Sequence, residues 1–233
     1  TSSCRRTTVK EAHNGSVETH VTNTAAVIND IALLNNSLIV VQGRYSDRGY
    51  FIFDASTNAQ IEFVSLFRSL QGLSASPLAQ KVFARDQGVS PSDIHYIDIS
   101  SSTKGSTDSP YHGDFPSATQ IWVFPDQLRV ADNSGIVYST ADLTYVGSLG
   151  GSFDDLTFTG NQTVVRREKT LTLLNEALAN PLIQSLKSVP QAIIGANNNI
   201  YAFSVSTAGL NVETIALSTF SELPKAPIVD PTG

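Results

Sequence analysis

Hydrophobic and polar positions alternate along this chain in short runs, and tight polar turns separate the runs. In the first repeat the runs are Ile31–Leu34, Leu38–Val41, Gly49–Asp54 and Ile61–Ser65. A second unit holds Lys81–Arg85 and Ile94–Ile99. A third holds Gln120–Phe124, Leu128–Ala131, Ile136–Ser139 and Thr144–Ser148. The fourth holds Leu156–Thr159, Thr163–Arg167, Leu171–Asn175 and Leu182–Leu186, and the fifth Gln191–Ala196, Ile200–Val205 and Val212–Leu217. Period-two alternation bounded by Asn, Asp, Gly and Pro predicts β-strands joined by hairpin turns. The turn dipeptides Pro125-Asp126, Gly160-Asn161 and Asn197-Asn198 recur about every 35–37 residues, a spacing that marks stacked or radial repeats. The predicted fold is therefore all-β: a β-propeller of about five short four-stranded blades, occupying residues 16–220.

The fifth unit shows three runs where four are needed, and Ser16–Val21 is a spare alternating run near the N-terminus. An open ring leaves two unpaired sheet edges. The expectation is that Ser16–Val21 completes the fifth blade and closes the ring. Two segments fit helical spacing instead: Phe63, Leu66, Phe67 and Leu70, and Leu171, Leu174 and Leu178. Asn180-Pro181 argues against a long helix in the second. Residues 1–15 read as irregular, and the proline-rich 221–233 as a linker or tail toward a larger multidomain chain.

Composition narrows the function classes. Charged residues are 15 % of the 233, below the roughly 25 % of typical domains, so Ser, Thr and Asn supply the polar surface. That balance is frequent in secreted and cell-surface β proteins. The formal charge is −6 and basic residues are scattered, which speaks against a nucleic-acid partner. No apolar run reaches the roughly 20 residues of a membrane-spanning helix. The one cysteine, Cys4, cannot form an internal disulfide and excludes a Cys-based zinc site. The chain contains no methionine, as expected of a processed product or a fragment.

The pieces GVSPSDIHYIDIS and GIVYSTADLTYVGSL resemble bacterial exported or surface propellers with YVTN- and WD-like blades. The positions that carry the resemblance are Asp98-Ile99 in one unit and Thr140, Leu143, Val146 and Gly147 in another; FIFDASTNAQIEFV in the first unit is similar to a third strand, its turn and a fourth strand. The resemblance spans about residues 30–217. Neither the Trp-Asp nor the Gly-His signature of WD repeats is present, and Tyr45 stands where the Asp-box of sialidase-like propellers has Ser or Thr. The resemblance implies binding or scaffolding more than chemistry.

The longest stretch of turn formers, Ser100–Pro116, is the candidate site, since long connections on a rigid scaffold often carry function. It gathers Asp108, Tyr111, His112 and Asp114, with Trp122 shortly after. The aromatics suit stacking on a sugar, and the carboxylates and imidazole suit a polar ligand or a divalent ion. Against this stands a solvated loop in which Asp108 and Asp114 cap turns and Tyr111 covers a blade edge. Asp154-Asp155 either faces a central channel or satisfies backbone N–H groups at a turn. His95 lies within a strand run. There is no HExxH, GxSxG or phosphate-cradling motif, and no cofactor signature. The expected function is a non-catalytic module of an exported or cell-surface protein, recognising protein or glycan through loops on one propeller face. The alternatives are a hydrolase or lyase using Asp114, Asp154 and Asp155, with two carboxylates about 5–10 Å apart for glycoside cleavage, and a structural spacer.

Overall fold

The computed structural model describes residues 7–13, 16–22, 28–42, 48–102 and 104–222. Residues 1–146 and 147–233 form two compact units.

The first unit opens with a hairpin of β1 (Thr7–His13) and β2 (Ser16–Thr22). Three antiparallel four-stranded sheets follow. Sheet one is β3 (Ile28–Leu34), β4 (Ser37–Gln42), β5 (Gly49–Asp54) and β6 (Gln60–Ser65). Sheet two is β7 (Ser69–Ser76), β8 (Lys81–Gln87), β9 (Ile94–Asp98) and β10 (Ser106–Asp108). Sheet three is β11 (Ile121–Val123), β12 (Arg129–Asp132), β13 (Ile136–Ser139) and β14 (Tyr145–Ser148), whose last residues cross the unit boundary. In each sheet the strands lie in sequence order, the up-and-down meander of a propeller blade.

The second unit holds sheet four, β15 (Asp155–Thr159), β16 (Gln162–Arg167), β17 (Thr170–Leu174) and β18 (Leu182–Ser185), and sheet five, β19 (Ala192–Ala196), β20 (Asn199–Ser206) and β21 (Gly209–Ala216). A 3-10 turn at Leu217–Thr219 leads into β22 (Ser221–Glu222), which pairs with β18.

The sheets pack face to face because their strands alternate. In β8, Val82 and Ala84 meet Leu34, Ile39, Tyr50 and Ile52 of sheet one, while Phe83 between them meets Ile121, Val130 and Tyr138 of sheet three. A strand buried on both faces accounts for the continuous run from Val82 to Asp86. In the second unit, Val164, Leu171 and Leu173 of sheet four pack on Ile193, Ile200 and Ile215 of sheet five. Each such buried side chain contributes about 1.5–3 kcal/mol.

Neighbouring sheets are also tied through their first strands, where side-chain oxygens accept backbone N–H groups. Asp30 Oδ2 accepts from Leu73 at 2.7 Å, Ser74 Oγ from Val123 at 3.1 Å and Asp155 Oδ2 from Ile193 at 2.8 Å.

Several expectations are corrected. Ser16–Val21 does not add to sheet five: β2 pairs with β1, from Thr7↔Thr22 to His13↔Ser16, and sheet five keeps three strands among the described residues. The local partner wins because only two residues separate the paired strands, and closing so short a span costs little entropy. Thr7–His13, read as irregular, is a strand. The helical spacing from Phe63 to Leu70 is occupied by β6, a short link and β7, and that from Leu171 by β17 and a turn. Ser100–Pro116 is not one continuous loop, since Ser106–Asp108 forms the fourth strand of sheet two. Cys4 and residues 223–233 lie outside the described residues.

The turn that leaves the third strand is built alike in sheets one and two. Asp54 Oδ1 accepts from Ser56 N, Ser56 Oγ and Thr57 N; Asp98 Oδ1 accepts from Ser100 N, Ser100 Oγ and Ser101 N. The Ser56 hydroxyl and the Thr57 N–H hold the Asp54 carboxyl down at about 2. A depressed carboxyl stabilises the fold above its unfolded value, and that contribution is lost as pH falls through the folded value. An NMR titration of Asp54 is expected to show a midpoint near 2, with the Ser56 and Thr57 amides shifting together; a midpoint near 4 would mean the turn is not formed.

Candidate functional site

In an up-and-down meander alternate connections lie at the same end of a sheet. In the first unit the link into β7 (66–68), the β8–β9 loop (88–93), the β10–β11 connection (109–120) and the β12–β13 turn (133–135) therefore gather at one end. The 109–120 connection spans from sheet two to sheet three, and its shape is set by its anchors.

The first anchor is Arg85, on the face of β8 toward sheet three and 1 % exposed. Its guanidinium donates to Asp132 Oδ2 at 2.9 Å, to the Pro116 carbonyl at 3.2 Å and to the Ser92 carbonyl. One side chain thus holds the 88–93 loop, the 109–120 connection and sheet three. Asp132 is fully buried and also accepts from Ser134 N at 3.0 Å and from the Ser134 and Tyr138 hydroxyls. Burial pushes the Asp132 carboxyl above the ordinary carboxylate value, while Arg85 and Ser134 act in the opposite sense.

The second anchor is Asp93, just before β9. Its Oδ1 accepts the Gly113 N–H at 3.0 Å and its Oδ2 lies 2.8 Å from His112 Nδ1. The third is Asn133, whose Oδ1 accepts from Thr119 N and Gln120 N at 2.8 and 3.1 Å. The fourth is aromatic: Phe115 stacks edge-on against Tyr111 and Tyr138, and the Tyr111 hydroxyl accepts the Tyr145 N–H at 3.0 Å. The last is Gly72, at φ +65° in an irregular stretch of β7, where the connection lies so close that a Cβ would sit 2.5 Å from the Thr119 carbonyl oxygen.

Beside these lies a second buried charge group. Arg68 donates to Asp108, to Ser106 Oγ at 2.9 Å and to Asp86 Oδ2 at 3.3 Å. Arg68 Nε and His95 Nδ1 also lie within ion-pair range of Asp86 Oδ1, at 3.1 and 3.2 Å, but at angles that make neither a hydrogen bond. The Arg68 guanidinium sits 4.8 Å from the Phe67 ring centroid, and Phe67 itself is 68 % exposed.

The sequence-derived candidates separate on this frame. His112 has an 83 % exposed side chain and Asp114 is exposed. The Asp108 side chain is 55 % exposed while engaged by Arg68. Tyr111 is half-buried in the aromatic cluster, and Trp122 is half-buried on β11 opposite Ala131. The contacts connect Asp108 to the Arg68 group and His112 to Asp93; they do not join the five into one pocket. Sequence reading missed Arg68, Arg85, Asp93, Asp132 and Phe67. The signal for Arg85 was a charged residue inside an otherwise apolar strand run. His95 is a fully buried strand residue facing Asp86. In the second unit, Asp155 accepts from Leu156 N and Ile193 N, and Asp154 from Glu168 N and Arg166, so both satisfy backbone N–H groups. Burial raises the Asp155 carboxyl. Among the described residues no group of three His, Cys, Asp or Glu is placed to hold a metal ion, and no helix is long and apolar enough to cross a membrane.

No protein-family model and no curated protein sequence matches the chain. Solved structures do. A chain from the structure of a nidogen/laminin complex superposes with a TM-score of 0.62 at 13 % identity, over 91 % of this chain and 86 % of that one. A chain of a mitotic checkpoint complex gives 0.61 at 14 % identity, over 91 % and 72 %. PorZ, a surface component of the type-IX secretion system of Porphyromonas gingivalis, gives 0.59 at 12 % identity, over 91 % of this chain and 29 % of that one. At these identities the likeness establishes fold alone, and with the serial four-stranded meanders it identifies the chain as a β-propeller.

Proposed function

We propose that this propeller is a non-catalytic binding module that engages a protein partner through one end of its first unit. His112, Asp114, Asp108 and Phe67 make the contacts; Tyr111 and Trp122 support them. One observation carries the reading: a 12-residue connection, 109–120, is tied at Pro116, Gly113, Thr119 and Gln120 by polar groups of other elements, yet turns His112 and Asp114 to solvent. A preordered surface loses little conformational entropy on binding, and loops fixed on a rigid scaffold are where recognition concentrates. Two of the superposing structures are described as complexes, which favours a protein over a glycan as partner. An exported or cell-surface setting fits the polar, charge-poor composition and the likeness to a bacterial surface component.

The test compares the full chain with a His112→Ala/Asp114→Ala variant as bait for cross-linking capture, alongside a glycan array. Losing the His112–Asp93 contact at the surface costs about 1 kcal/mol or less, so the variant stays folded. A captured protein is expected to bind the folded variant at least about tenfold more weakly, the scale of an interface hot spot. Capture that ignores the double variant would contradict the reading, and glycan binding lost in the variant would replace the protein partner with a sugar.

A further inference from the structure

His112 combines high exposure with a fixed orientation. Its partner, Asp93, is 8 % exposed and is itself held in the β8–β9 hairpin, where its carbonyl accepts the Asp86 N–H at 3.0 Å. The two Asp93 oxygens are divided between the Gly113 N–H and His112 Nδ1. Gly113 is at φ +75°, and a Cβ there would lie 3.3 Å from the Pro91 side chain, so the backbone beside His112 rests on the 88–93 loop. A carboxylate only accepts, so the hydrogen of the His112–Asp93 bond sits on Nδ1. In the neutral imidazole that leaves Nε2 as a bare lone pair.

We infer that Asp93 is the positioning residue of this surface: it holds His112 in the Nδ1–H form and presents Nε2 outward as a hydrogen-bond acceptor, so that the group docking on His112 is a hydrogen-bond donor of a protein partner, an N–H or O–H. The neighbouring exposed carboxylate of Asp114 is likewise acceptor-only, so with the imidazole neutral both exposed groups on this segment select against a partner's carboxylate or phosphate. The choice of partner chemistry rests on the binding reading above; the tautomer does not.

The two parts are tested separately. Long-range nitrogen–proton NMR spectra of the full chain, labelled in its four histidines and assigned with His112→Ala, are taken near pH 8 without any partner. The wild type is expected to show His112 in the Nδ1–H form, Asp93→Asn, whose single oxygen stays on the Gly113 N–H and whose NH2 then faces Nδ1, to shift it toward the Nε2–H form, and Asp93→Ala to show a mixture of both forms. A wild-type His112 with its proton on Nε2 overturns the inference even if the Asp93 variants fail to fold. So does an unchanged Nδ1–H form in a folded Asp93→Ala variant. For the protein captured as above, His112→Glu, an outward acceptor, is expected to bind within about threefold of wild type, and His112→Lys, an outward donor, at least about tenfold more weakly. The reverse order overturns the donor assignment while leaving the binding surface itself intact.

Discussion

Replacing Arg85 with Met is expected to cost about 3–5 kcal/mol of folding stability, the usual penalty for stranding one partner of a buried ion pair. Arg85 and Asp132 are both almost wholly shielded from water, and Arg85 also serves the Ser92 and Pro116 carbonyls. Urea unfolding of the wild type and the variant measures the loss. The pH dependence is diagnostic. Asp132 already carries a folded value raised by burial, and losing the guanidinium raises it further. For a raised carboxyl, the proton-bound form is favoured by folding, so stability is highest below the unfolded value of about 3.9 and falls as pH rises through the folded value. The variant's deficit is therefore expected to be small in acid and full at neutral pH. The double variant Arg85→Met/Asp132→Leu is expected to recover much of it, because no buried charge is left unpaired. A deficit of under about 1 kcal/mol for Arg85→Met at pH 7 would mean that water reaches this cluster.

The second large effect is expected at Gly72. A side chain there meets a left-handed backbone, costing about 1–3 kcal/mol by itself. In addition its Cβ would overlap the Thr119 carbonyl and lie 2.7 Å from Gln120 Cα. These are backbone atoms, so relief requires moving the 109–120 connection off β7. Gly72→Ala is expected to destabilise by more than about 3 kcal/mol and to loosen residues 109–120. Gly209→Ala is the control: it also has a positive φ, +114°, but nothing lies within 4 Å of its Cβ. If the two substitutions cost the same, the close approach of the connection to β7 is not a feature of the protein.

The strands that were legible in the sequence are short apolar runs between turn formers, because a sheet packed on both faces needs apolar residues on both. Leu128–Ala131 and Ile136–Ser139 fall within a residue or so of β12 and β13. What alternation did not reveal was β7, whose Ser-Leu-Gln-Gly-Leu-Ser-Ala-Ser run is built of small and half-buried residues and broken by the irregularity at Gly72. β10 was hidden for a different reason: three residues inside a run of turn formers become a strand only because β9 offers an edge. The site divides in the same way. Composition pointed to Tyr111, His112 and Asp114, since they crowd a turn-rich stretch. The groups that orient that stretch come from other strands, such as Arg85 paired with Asp132 at a separation of 47 residues and Arg68 with Asp108 at 40. No local pattern encodes such pairings. A charged residue inside the apolar run of β8, Arg85, was the only trace of them in the sequence.

All of this depends on residues 109–120 being held in one conformation before any partner arrives. Amide hydrogen exchange on the free full-length chain measures that directly. The Gly113, Thr119 and Gln120 N–H groups, each donated to an internal side-chain oxygen, are expected to exchange as slowly as the amides of β9 and β12, and to lose protection together in Arg85→Met. Exchange of these three amides at the rate of an unstructured peptide, beside protected strands, would contradict the account.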